Sequence, residues 1–159
     1  MRGSPVTEDE LFARRPLGMR MAMVVRQWRA IIDSAITDTG LTQSSWTVLM
    51  QLHQLGDNVS VSELAEVQGI ELPPLMRTLS LLEKQGYLVR STSPYDKRIR
   101  LLTLTAEGRA ILEKLSCVIE TYQERVTQTI PEADLATFSA TLNQIACRLR
   151  NIREKDNKI

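Results

Sequence analysis

Along most of this chain, apolar residues recur at alternating steps of three and four, the pattern of helices that bury one face. From Leu17 the series Met21, Val24, Trp28, Ile31 and Ala35 predicts a long first helix ending near Gly40. A second helix starts from a Thr42 cap, carries Trp46, Leu49, Leu52 and Leu55 on one side, and closes at Gly56. "SVSELAEVQG" predicts a short third helix, with Ser60 and Glu63 in the spacing of a capping box and Gly69 as its stop. In the fourth, "IELPPLMRTLSLLEKQG", Pro73 falls near the first turn, where a missing N–H is harmless, and Leu75, Leu79 and Leu82 form the buried stripe before Gly86.

The period then changes. "YLVRS" and "RLLTLT" are strand-like and are joined by the polar segment around Ser93-Pro94-Tyr95-Asp96, which predicts a hairpin. After Thr105 the helical period returns, with Ile111, Leu115, Val118, Tyr122 and Val126 on a fifth helix. Pro131 breaks it and starts a sixth, whose face carries Leu135, Phe138, Leu142, Ile145, Leu149 and Ile152. The predicted fold class is therefore mainly α with a small β-hairpin. The middle of the chain, residues 42–105, reads helix, helix, helix, hairpin, which is a winged helix-turn-helix lobe. Residues 8–40 and 106–153 form a flanking helical lobe, and the whole of 1–159 is one domain.

Composition narrows the picture. A 43% hydrophobic share supports a real core, while a net charge of +1 supplies no global field towards nucleic acid or anionic lipid. Any positive potential must be local. The apolar runs fall short of the roughly 18 residues of a membrane span and the N-terminus lacks a signal-peptide core, so a cytoplasmic protein without a membrane partner is expected. The opening "MRGS" resembles an expression-vector scar and is given no structural meaning. With one histidine, no nucleophile motif, no phosphate-cradling glycine loop and no metal-ligand spacing, an enzyme lacks its parts, and neither a cofactor nor a metal is expected.

"SPYDKRIRLLTLT" holds the local charge. A basic hairpin tip is ordinarily a solvated turn, but this one follows a capped tri-helical pattern in the order a winged helix needs. In such a lobe the second helix of the helix-turn-helix enters the major groove of DNA, led by its N-terminal half. That half presents Glu71, Pro73, Pro74, Arg77 and Thr78 away from the leucine stripe, and a helix N-terminus offers N–H groups to phosphate. The hairpin tip would reach the neighbouring minor groove, where Arg98 is the expected insert and Asp96 its brace, with Lys97 and Arg100 on phosphates.

These residues carry a family resemblance. "VSELAEVQGIELPPLMRTLSLLEKQGYLVRSTSPYDKRIRLLTLTAEG" is similar to the DNA-binding lobe of the MarR family. That family has a helix with S-x-L-A, then R-x-x-x-x-L-E-x-x-G-x-[LIV]-x-R, then a D-x-R wing closing on L-T-x-x-G. Arg77, Leu82, Glu83, Gly86, Arg90, Asp96, Arg98, Leu104, Thr105 and Gly108 stand in place. Upstream, "RPLGMRMAMVVRQWRAIIDSAI" and "LTQSSWTVLMQLHQL" resemble the SlyA branch, and the likeness spans about residues 15 to 150. It implies an obligate homodimer, a palindromic A·T-rich operator in double-stranded DNA, and a phenolic or aromatic-carboxylate effector such as salicylate. Arg77 and Arg98 inherit DNA contact by position, and Ser62 and Arg90 join the DNA-facing set. One departure is Pro94-Tyr95 before the Asp, which makes a bulkier, stiffer tip.

The remaining candidates concern assembly and regulation. Three long amphipathic helices at the chain ends have no evident use in a monomer, so they are expected to interdigitate with a second copy. Trp46, Arg29 and Arg77 lie on helices that, in the family fold, border a crevice between the lobes. An aromatic wall with a guanidinium suits a small aromatic acid. The plainer alternative makes Trp46 a core residue and Arg29 a surface or interface one. His53 reads as a polar residue at a helix end. Cys117 and Cys147 read as buried, inert thiols, with a redox-responsive regulator as the alternative. A further rival is a winged helix used only for protein contacts.

Overall fold

The computed structural model of the chain describes residues 7–156. The "MRGS" opening and the last three residues of the 1–159 span lie outside the described residues. The chain divides into two compact units, Met1–Ile119 and Glu120–Ile159.

In the first unit, α1 (Glu8–Ala13) is a short helix that apolar periodicity does not distinguish from the long helix after it. It begins at a Thr7/Glu10 capping box. The long helix α2 (Leu17–Ala35) ends in a 3-10 turn at Thr37–Thr39. Then come α3 (Gln43–Leu55), β1 (Val59–Ser60), α4 (Val61–Gln68) and α5 (Leu72–Lys84). The hairpin strands are β2 (Leu88–Thr92) and β3 (Arg100–Leu104). The first part of α6 (Ala106–Thr127) completes the unit. The three strands form one antiparallel sheet in the order β1-β3-β2, with Arg90 opposite Leu102 and Val59 opposite Leu102 on the other side. This is a mainly helical winged helix-turn-helix.

Local chemistry sets most of these boundaries. Thr42 Oγ1 accepts the Ser45 N–H at 3.3 Å and starts α3. The Ser60 hydroxyl accepts the Glu63 N–H at 3.2 Å, and the Glu63 carboxylate accepts the Ser60 N–H at 2.8 Å. The Ser60 N–H, and then its hydroxyl, hold the Glu63 carboxyl below the ordinary Glu range. The Glu63 carboxylate half of the cap is therefore at full strength at neutral pH and weakens only as pH falls through that lowered value. Gly69 (φ 62°) then stops α4 in the left-handed conformation that closes many helices.

The core is built largely of leucine. Leu49 and Leu52 of α3, Leu64 of α4, Leu75, Leu79 and Leu82 of α5, Leu88 of β2 and Leu102 of β3 are each at most 1% exposed. Each such burial contributes about 1.5–3 kcal/mol, so the helix-turn-helix and the hairpin share one packed interior.

Two predicted stripes are displaced. On α2 the buried residue is Ile32, with Ile36 just beyond the helix, while Val24 and Ile31 are exposed. This helix is apolar around much of its circumference, so period alone does not select the face. Its C-terminal end is the part tied down, where the Asp33 carboxylate accepts the Gln43 N–H at 2.6 Å. On α6 the buried series is Gly108, Leu112, Leu115 and Ile119 instead of Ile111, Leu115, Val118 and Tyr122. The reason is Gly108. A Cβ there would lie 1.9 Å from the Tyr87 carbonyl oxygen, so only glycine permits this approach. Thr105 completes the joint: its N–H donates to Tyr87 O at 3.1 Å and its hydroxyl to Gly86 O at 2.6 Å, while its Oγ1 accepts the Gly108 N–H at 3.0 Å.

The second unit contains the end of α6 and the helix α7 (Glu132–Asp156). The α7 stripe begins after Pro131, but none of its residues is buried. Phe138 is 64%, Leu149 59% and Ile152 56% exposed.

Gly108→Ala should destabilise the fold by about 1–3 kcal/mol, the usual cost of overpacking a closed contact. Urea unfolding of the two proteins measures it, and equal midpoints would contradict the close approach.

Candidate nucleic-acid interface

Leu75, Leu79 and Leu82 fix the roll of α5, so its opposite face meets solvent. Glu71, Pro73, Pro74 and Arg77 are exposed there and Thr78 is half-buried. The expectation of a phosphate-binding N-terminus needs correction. Glu71 is the N-cap and makes no side-chain cap, and Pro73 and Pro74 have no N–H to offer. Leu72 is left as the one donor in the first three helical positions, and the Leu75 N–H that follows bonds back to Glu71 O. This helix can read DNA through its side chains but has little backbone with which to bind phosphate.

The wing rises beside it. Between α4, α5 and the hairpin lies a groove of about 270 Å³, lined among others by Ser62, Leu72, Met76, Arg90, Arg98 and Arg100. Three guanidinium groups line it, and two of them are paired with carboxylates, Arg90 with Glu83 and Arg98 with Asp96, so the local excess of positive charge is small. Met76 and Ile99 also line it, and sequence reasoning passes over both, because their side chains belong to neither the leucine stripe nor a charge cluster.

The cations differ in how they are held. Arg90 is an internal clamp: Nη2 donates to Ser80 Oγ at 3.1 Å, and Nε lies 3.1 Å from Glu83 Oε2, a charge contact without hydrogen-bond geometry. Its side chain is only 19% exposed, and it pins β2 to α5. Arg100 donates to Thr92 Oγ1 across the hairpin. Arg98 is 91% exposed yet oriented, since Asp96 Oδ1 accepts its backbone N–H at 2.9 Å and its Nε at 3.2 Å, and Oδ2 accepts Nη2 at 3.3 Å. The backbone N–H of Arg98, and then its guanidinium, hold the Asp96 carboxyl below the usual Asp range. Arg77 and Lys97 project without a hydrogen-bond or ion-pair partner among the described residues.

The residues expected to hold an aromatic acid are gathered neither in the groove beside the wing nor in a second cavity of the first unit. Arg29 is exposed on α2. Trp46 is half-buried, and its indole N–H donates to Ser116 Oγ of α6 at 3.2 Å. The larger cavity, about 460 Å³, is lined by His53, Arg109, Glu113 and Ser116 together with apolar residues of α6. Arg109 is paired with Asp57 at 3.1 Å. Cys117 and Cys147, expected to be buried, are both exposed and outside any disulfide. Among the described residues no group of three or more His, Cys, Asp or Glu could hold a metal ion, and no helix is long and apolar enough to cross a membrane.

Residues 39–99 match the MarR family. Among solved structures, the chain is similar to transcriptional regulator PA3341, at 30% identity and TM-score 0.74, over 86% of this chain and 99% of that one. It is similar to the transcriptional repressor CouR bound to a 23-mer DNA duplex, at 26% identity and TM-score 0.78, over 90% and 99% of the two chains. A mutant MarR from E. coli complexed with operator DNA matches at 25% identity and TM-score 0.75, over 82% and 93%.

The Asp96 titration tests the wing geometry in the protein alone. A lowered pKa means that the clasp is complete above the ordinary Asp value and opens only as pH falls through the depressed one. Arg98→Ala removes the guanidinium but keeps the backbone N–H, the larger cause. The Asp96 pKa should therefore rise in that variant yet stay below the ordinary value, as followed by carboxyl NMR shifts. An unchanged pKa would show that the side chain contributes nothing.

Proposed function

The chain belongs to the MarR family of transcription regulators, which are not enzymes, and on that premise we propose that it binds A·T-rich palindromic operators as a homodimer in the cytoplasm. The observation that carries the reading is the Asp96–Arg98 clasp at an exposed hairpin tip, beside a helix whose outer face bears Arg77. A guanidinium oriented in advance loses less freedom on entering a narrow minor groove, where the potential is most negative. Pro73, Pro74, Arg77 and Thr78 read the adjacent major groove. Ser62, Lys97 and Arg100 contact phosphates, and Glu71 borders the base edges. Arg90 contributes by holding the wing on α5.

The dimer reading rests on uncovered apolar surface in each unit taken separately. Met19, Val24 and Val25 of α2 are at least 50% exposed, as are Phe138, Leu149 and Ile152 of α7. Large apolar side chains left uncovered along long helices are what a protein interface buries. A two-fold dimer would also let two recognition helices match the roughly 34 Å repeat of B-DNA. The assignment to a SlyA-like branch rests on the sequence of the first two long helices. With it comes an aromatic-carboxylate effector contacting Trp46 together with Arg29 or Arg77. Ser116 already takes the indole N–H, so such a ligand would use the ring face of Trp46.

Arg98→Ala should weaken binding to an operator selected from random duplex DNA by about 1–3 kcal/mol, the value of one good groove contact. Fluorescence anisotropy measures it, and unchanged affinity would remove the wing from the interface. Deleting the chain after Glu132 should convert the dimer to monomer in sedimentation equilibrium. A truncated chain that remains dimeric would refute the role of α7.

A further inference from the structure

The wing tip carries one side chain that neither the cation set nor the hairpin's own bonding accounts for. Tyr95 is 97% exposed, the highest value among the large apolar side chains of the described residues. Its backbone, in contrast, is fixed. Pro94 restricts the preceding φ, and the buried Ser93 hydroxyl accepts the N–H groups of both Tyr95, at 3.2 Å, and Asp96, at 3.4 Å. Two further bonds close the loop, Ser93 N–H to Ile99 O and Ile99 N–H to Asp96 O, each 3.0 Å. A tip that only turned the chain would be served by Gly, Asn or Ser at this place. Here a rigid loop holds an aromatic ring in water, three residues before the exposed Arg98.

We propose that Tyr95 is a further DNA contact, on the strand bordering the groove that Arg98 enters. The ring packs on a deoxyribose face and the phenol O–H donates to a phosphate oxygen, one of the side-chain donors that phosphates accept. A tyrosine has two side-chain torsions to freeze, so a ring mounted on a fixed backbone gains contact area at small entropic cost. The contact is uncharged. It adds affinity without releasing counterions, in contrast to the arginine beside it. The proposal rests on the reading of the wing as a DNA-binding element.

The test uses the full-length protein, a duplex selected from a randomised library by the wild type, and anisotropy titrations over a range of salt concentrations. Tyr95→Ala should weaken binding about 5- to 30-fold, the range of an aromatic anchor at an interface, and leave the slope of log K against log salt unchanged. Arg98→Ala should weaken binding and lower that slope by about one unit. Tyr95→Phe, which keeps the ring, should lose less than Tyr95→Ala. The side chain is almost wholly in water, so neither Tyr95 variant should shift the unfolding midpoint. If Arg98→Ala weakens binding and Tyr95→Ala does not, the Tyr95 contact is refuted and the wing reading stands. If neither weakens binding, the wing reading fails and the contact fails with it. A Tyr95→Ala variant that loses affinity together with salt slope acts through Arg98, and that result too overturns the contact.

Discussion

One apolar interior determines how far apart the groups proposed to face DNA can be. Leu75, Leu79 and Leu82 of α5 are buried in the same core as Leu88 and Leu102 of the hairpin. A packed core does not deform continuously, so α5 and the wing move as one body. The backbone that carries Arg77 and the strands that carry the Arg98 loop therefore keep a fixed separation. The net charge of +1 would otherwise give poor purchase on a polyanion. Affinity has to come from a few cations held in position, and the leucine core is what holds them.

Polar contacts divide the basic residues between holding and reaching. Arg90 is spent inside the protein, tying β2 to Ser80 and Glu83 of α5. Thr105 and Gly108 perform the same service at the other end of the hairpin, where the start of α6 closes on the Tyr87 backbone. With β2 and the end of β3 both anchored, the loop from Ser93 to Ile99 is the part of the wing that extends beyond the sheet. Asp96 then governs what that loop presents. Its carboxylate cannot favour phosphate, yet by engaging the Arg98 backbone and guanidinium together it holds the cation in one orientation at the tip. An anionic side chain at the tip thus serves a cationic function.

The features legible in the sequence are local ones. The Ser60–Glu63 cap, the leucine stripe of α5 and the hairpin strands depend on residues a few positions apart, and all three are present in the fold. Strand β1 escapes the sequence pattern, because two residues next to a helix cap show no alternation and acquire meaning only opposite Leu101 and Leu102. The buried face of α6 differs from the predicted one because its defining residue is a glycine, which apolar periodicity does not register. The Trp46–Ser116 bond joins positions 70 residues apart and has no sequence signature. At the interface, the residue types are readable but not their employment. Arg90 and Arg98 look alike in the sequence, and only their partners separate a clamp from a probe. The double proline of α5 reads as a harmless helix start, and its second consequence, the loss of phosphate-facing N–H groups, emerges only once Glu71 is fixed as the N-cap.

The central claim is that α5 and the wing read two adjacent grooves as a single rigid unit. Dimethyl sulfate protection on a selected operator tests it directly, because the reagent methylates guanine N7 in the major groove and adenine N3 in the minor groove. The protein should protect both, with guanine N7 at the centre of each half-site and adenine N3 in the flanking A·T tract. Arg98→Ala should release the adenine protection alone. Protection confined to one groove, or lost from both together in that variant, would contradict it.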